Sequence, residues 1–274
     1  MTPPPSPNPV QFPAGQSWKS ELRTGALALL QGARWLMARP SLWKYTFFSI
    51  LTALVVTSLF VLGSFRTHAW IMSFLPPATD GLWSWIRPVI WLALLVACML
   101  GALSTGAIVS SITAAPFHDR LSERVEEQIL GQVESPFAWS TFIGDVLQGV
   151  AHSLLNLAIY VPLSIVALAL NLVPGLGNIA SWLAGTALTA AMLSIELTDF
   201  PQARRRFTWR EKVSLVRKQP APMLGFGLAA TALLAIPFMS LVLAPVGVVG
   251  GTLLFAALHD AGRIPHKDRR LPAS

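Results

Sequence analysis

The side chains able to do chemistry are few in this chain and do not converge. His68, His118, His152, His259 and His266 stand without H-E-x-x-H spacing. The single cysteine, Cys98, can form neither an intramolecular disulfide nor a thiol cluster, so no metal or other cofactor is expected. No G-x-x-x-x-G-K-[ST] loop occurs to cradle a nucleotide. Ser41-Leu42-Trp43-Lys44 fits S-x-x-K, but the companion motifs of serine acyl-enzymes are missing and Lys44 sits where a membrane-interface anchor belongs. The chain does not read as an enzyme. What remains is backbone chemistry at a helix break. Pro174 has no N–H to donate, Gly175 and Gly177 permit a sharp turn, and a helix restarting near Asn178 would aim its positive dipole end outward. Such an end suits an anion. Pro174, Gly175, Gly177 and Asn178 are therefore candidate pathway-lining residues, and Pro237 and Pro245 interrupt a second apolar region in a similar way.

The elements that would position these residues are apolar helices. The arms around the first break, Ser153 to Val173 and Asn178 to Ile195, carry no charge and run for 21 and 18 residues. A crossing pair joined by a tight surface loop and a shallower re-entrant hairpin both fit those lengths, and re-entrance is preferred. Unpaired N–H and C=O groups at its tip then need shelter from protein or water. The second region, Pro222 to Leu258, is broken by Pro237, Pro245, Gly247, Gly250 and Gly251, and its 14-residue first arm, Met223 to Ile236, is too short to span, so it reads as a second re-entrant hairpin. Two full spans come earlier: Tyr45 to Phe65, after Pro40, and Val89 to Ala115, with Pro88 in its first turn. Trp18, Leu22, Ala26, Leu29, Ala33 and Leu36 make the apolar stripe of an interfacial N-terminal helix. From Pro116 a separate amphipathic helix outside the membrane is expected. Its apolar stripe is Phe117, Leu121, Val125 and Ile129, and Asp119, Glu123 and Glu127 form an acidic face. The basic segment Arg204-Arg205-Arg206 with Arg210, Lys212, Arg217 and Lys218 either docks on that face or is solvated independently of it, and Thr208 with Glu211 forms a capping box.

Composition places these helices in a bilayer. With 53% hydrophobic and 12% charged residues over 274, the chain is an all-α integral membrane protein rather than a soluble one. Its net charge of +7 is uneven: five Lys or Arg precede Tyr45, two lie between the first two spans, two in 116–152, seven in 196–220 and four after Leu258. If each later hairpin returns to the side it left, 18 of the 20 basic residues are cytoplasmic, with both termini inside. The basic excess is thus topology, and no nucleic-acid motif accompanies it. Residues 1–15 read as a disordered Pro-rich tail, 16–264 as one membrane domain and 265–274 as a basic C-terminal tail. The spans contain no ionisable residue, which favours a passive pathway over proton coupling.

Ordered motifs then add a resemblance. Gly32-Ala33-Arg34 with Arg39-Pro40, Ala114-Ala115-Pro116-Phe117 leading into Leu121-Ser122-Glu123-Arg124-Val125-Glu126, and Val173-Pro174-Gly175-Leu176-Gly177 leading to Asp199-Phe200-Pro201 resemble the CysZ sulfate permeases of bacteria and the related eukaryotic etoposide-induced membrane proteins. Gly225-Phe226-Gly227, Ile236-Pro237 and the run Ala244 to Thr252 are similar to that family's closing segments. The resemblance implies two long transmembrane helices, two hemi-penetrating hairpins, homo-oligomeric assembly in the inner membrane and sulfate uptake for cysteine biosynthesis. It also implies that Gly32, Ala33 and Arg34 contact the anion, although the family's central residue there is Leu rather than Ala33. A guanidinium can meet two oxygens of a tetrahedral oxyanion at once, so Arg34 suits that role; an arginine snorkelling to lipid phosphate is the alternative. Some eukaryotic relatives suggest a rival function, a non-transporting membrane-remodelling or assembly protein of the same fold.

Overall fold

The computed structural model describes residues 6–13, 15–77, 81–131, 139–173, 175–236 and 239–264. Pro174, Pro237 and the 265–274 tail lie outside them. The described residues form helices and no strand: α1 (Trp18–Met37), α2 (Pro40–Met72), α3 (Leu82–Leu130), α4 (Trp139–Ala169) with a 3-10 turn (Leu170–Leu172), α5 (Leu176–Leu197), α6 (Asp199–Arg204), α7 (Trp209–Lys218), α8 (Pro220–Leu234) and α9 (Met239–Asp260). Among them α2, α3, α5 and α9 are long and apolar enough to cross a membrane, and the chain is an all-α, multi-pass membrane protein.

The chain divides into two compact units, residues 47–115 and the remainder. In the larger unit α1 lies against α8 and α9, and α5 against α8 and α4. The buried side of α1 is Gly25, Ala28, Leu29, Gly32, Trp35 and Leu36, while Trp18 is exposed. The stripe expected to rest on the membrane interface is therefore turned: its buried face follows the glycines, because α8 and α9 supply a protein surface that glycine can approach closely. A Cβ at Gly225 would collide with the Leu22 carbonyl, and one at Gly32 with the backbone of Gly250. In lipid, where apolar surface alone gives helices no reason to associate, such approach supplies the packing energy.

Several expectations are corrected here. The second long helix does not stop at Ala115: α3 runs 49 residues from Leu82, unbroken through Pro88 and Pro116, to Gly131, whose φ of 73° ends it. Proline removes one hydrogen bond and strains the turn before it, but burial of Leu121, Val125 and Ile129 in the larger unit offsets that loss. Likewise α9 passes through Pro245 without a break. Residues 6–13, within the stretch read as a tail, make contacts with α3 and α9: Val10 is buried, Asn8 Nδ2 donates to the Leu253 carbonyl at 3.0 Å, and the Ser6 N–H donates to the Gln128 carbonyl at 2.7 Å. The capping box forms, with the Glu211 carboxylate accepting from the Thr208 N–H at 2.7 Å.

In the smaller unit α2 and α3 run side by side. They approach at Gly106, where an added Cβ would lie 3.2 Å from Phe60 and 3.3 Å from the Thr57 backbone. Most of their apolar side chains are exposed, as a lipid-facing pair requires.

Candidate functional site

The residues implied to meet the anion lie near the C-terminal end of α1, and the structure assigns them different surroundings. Gly32 is buried at the α1–α9 contact, inside the helical hydrogen-bond ladder, so its backbone serves packing. Ala33 is half-buried against the core. Arg34 is exposed, and its guanidinium has no hydrogen-bond or ion-pair partner among the described residues. The next turn is rigid: the Arg39 guanidinium stacks 3.3 Å from the Trp35 ring centroid, and Trp43 Nε1 donates to the Leu36 carbonyl at 2.9 Å. Trp35 is itself buried, with its Nε1 unpartnered among the described residues. That N–H is closed to solvent, and no sequence spacing singles out Trp35.

The other strongly charged place is a buried network in the same unit. Arg204 donates to Asp119 at 2.5 Å, to Glu126 through Nε and Nη2 at 3.1 and 2.8 Å, and to Ser122 Oγ at 2.6 Å. Arg205 reaches the second oxygen of Glu126 at 2.5 Å. Ser122 meets Thr252 at 2.8 Å, which ties α9 into the network. Lys212, also buried, pairs with Asp199. The anticipated docking of acidic α3 on the basic segment therefore occurs, but through Asp119 and Glu126, while Glu123 and Glu127 pair with Arg120 and Arg124 on α3 itself. Seven-residue spacing from Asp119 is the signal that locates Glu126. With both guanidinium groups paired to carboxylate oxygens, this network holds elements together rather than offering a vacant cation.

At the first break, Gly175 with φ 83° precedes α5, the Gly177 N–H returns to the Val173 carbonyl at 3.2 Å, and Asn171 Nδ2 donates to Ser181 Oγ at 2.8 Å, bracing the two arms. Gly177 is buried, whereas Gly175, Leu176 and Asn178 are exposed, so the described residues of this chain do not cover the tip. Pro245 is buried inside α9. No hydrogen bond or ion pair among the described residues joins Arg34 to Gly175, Gly177, Asn178 or Pro245. The described residues hold no cluster of three or more metal-ligating side chains.

A family model described as "Sulfate transporter CysZ/Etoposide-induced protein 2.4" matches residues 28–245. Curated relatives are similar over most of their length. A "Sulfate transporter CysZ" of Pseudomonas aeruginosa is 26% identical over 80% of this chain and 89% of its own. One from Pseudomonas syringae pv. tomato is 26% identical over 88% and 95%, and one from Pectobacterium atrosepticum 24% over 92% and 91%. The match begins within α1 and takes in Arg34, the buried charge network and both breaks, and the chain belongs to the CysZ/etoposide-induced protein 2.4 family.

Proposed function

We propose that this protein is a passive oxyanion channel of the inner membrane that conducts sulfate inward for cysteine biosynthesis. The observation that carries the reading is the division of its arginines. Arg204, Arg205, Arg120, Arg124 and Arg263 are each paired with a carboxylate, whereas the Arg34 guanidinium, on a helix fixed by backbone contact, has no carboxylate partner among the described residues, a condition it shares with Arg23, Arg66 and Arg87. An anion losing hydration needs a cation already in place, and an arginine not engaged by a carboxylate meets that need. The names of the relatives support sulfate as the anion. In this reading Arg34 clamps the anion. Gly32 and Ala33 set the register of α1. Pro174, Gly175, Gly177, Asn178, Pro237 and Pro245 belong to re-entrant hairpins beside the pathway, with both termini cytoplasmic. The exposed apolar tip at Leu172 and Leu176 favours further cover, by lipid or by a second copy in a homo-oligomer.

Labelled sulfate offered to proteoliposomes, with neither a proton gradient nor ATP, tests this reading. Uptake that follows the sulfate gradient and exceeds that of empty vesicles is expected. Its absence would leave the protein as a non-transporting member of the family.

A further inference from the structure

Where α2 finishes at Met72 and α3 begins at Leu82, the end turns of the two helices border an open crevice of about 680 Å³, lined by His68, Met72, Ser73, Arg87, Pro88 and Trp91. This volume lies within the ~300–1,000 Å³ of small-ligand sites. Arg87 and Trp91 are four residues apart on α3, as are His68 and Met72 on α2, so each helix turns one face toward the space. One wall is fixed: His68 is buried, its Nε2 lies 3.1 Å from the Trp91 carbonyl, and its ring meets the Trp91 ring edge-on at 5.2 Å. Ser73 is committed to its own turn, donating to the Trp70 carbonyl at 2.6 Å.

Arg87 is not committed. Its Nε is buried without a hydrogen-bond partner, and no ion pair engages the guanidinium, among the described residues. A buried charged donor without an acceptor is costly, and the crevice beside it is open. Exposed Trp70, Trp85 and Trp91 cluster in the same end turns, the pattern of side chains that sit at the lipid headgroup level. The segment between Arg66 and Arg87 contains one carboxylate, Asp80, so its side chains carry a small net positive charge. An arginine at the wall of the crevice can offer two parallel N–H groups to a pair of oxygens.

We propose that this crevice binds an oxyanion, either free in solution or as the phosphodiester of a lipid headgroup, with Arg87 as its clamp. The binding does not depend on transport or on Arg34, since every residue lining the crevice lies within 68–91.

The test uses the full chain carrying Arg34→Gln, purified in an uncharged detergent, so that α1 contributes no anion binding. One arm measures binding of labelled sulfate, and the other counts phosphatidylglycerol molecules retained in native mass spectrometry. Arg87→Gln is expected to weaken at least one arm about tenfold, as loss of one charge-assisted hydrogen bond implies. Arg87→Lys should recover part of the loss, and Arg66→Gln, an exposed arginine outside the crevice, should leave both arms unchanged. A loss confined to sulfate assigns a free anion, one confined to the lipid assigns a headgroup, and losses in both assign a shared site. Unaltered binding in both arms for Arg87→Gln overturns the proposal, as does an equal loss for Arg66→Gln, which would mean diffuse attraction rather than a site.

Discussion

Helices α2 and α9 are alike in their apolar character and opposite in their surroundings. Of the most apolar stretch of each, 6% of residues are buried in α2 and 83% in α9. On α9, Gly250 and Gly251 lie against the backbones of α1 and of the end of α5, while Gly63 of α2 faces open space. Apolarity admits both helices to the bilayer; small residues placed where another backbone passes decide which is sheathed in protein. Charges divide similarly. Within the larger unit itself the Arg204–Glu126 pair is nearly inaccessible, at 6% and 3% side-chain exposure, whereas Arg124–Glu127 is open, at 47% and 40%.

The largest effect should come from the buried network. Glu126→Gln leaves Arg204 and Arg205 without their shared carboxylate, a loss of roughly 3–5 kcal/mol that should appear as a large drop in melting temperature or as no folded protein on size exclusion. The same change at the exposed Glu127 should cost at most about 1 kcal/mol, and equal losses at the two positions would erase the contrast. Next comes backbone approach: Gly225→Val in the bundle should cost about 3 kcal/mol by forcing α1 and α8 apart, against under about 0.5 kcal/mol for Gly63→Val on α2, both read from thermal melts. A costly Gly63→Val would reveal a partner on that face. The smallest effect on stability concerns the break. In a Cys98→Ala chain, Leu176→Cys at a re-entrant tip should react with water-soluble thiol reagents from the N-terminal side of the membrane alone. Reaction from the opposite side alone would mean a deep or complete crossing.

Much of this was legible in the sequence because it depends on local chemistry. Uncharged length located α2 and the apolar part of α3, Thr208 and Glu211 defined the start of α7, and the clustered arginines located the partner of the acidic end of α3. What escaped depends on contacts between distant residues. Pro116 reads as a boundary until Leu121 and Val125 are seen to be buried in the larger unit. Asn8 and Val10 read as tail until Leu253 supplies an acceptor. At the candidate site, charge and planarity single out Arg34, but only packing shows that Gly32 beside it serves α9 and that the Trp35 N–H is buried without a partner among the described residues.

The most direct test of the central claim is sulfate uptake per molecule of reconstituted protein in Arg34→Gln, with Arg34→Lys measured alongside. Gln removes the charge and Lys keeps it without the planar fork. The account predicts a loss of about 30-fold for Gln, from ~2 kcal/mol per charged hydrogen bond, with a weakened but measurable rate for Lys. A normalised rate for Arg34→Gln equal to that of the unaltered protein would contradict it.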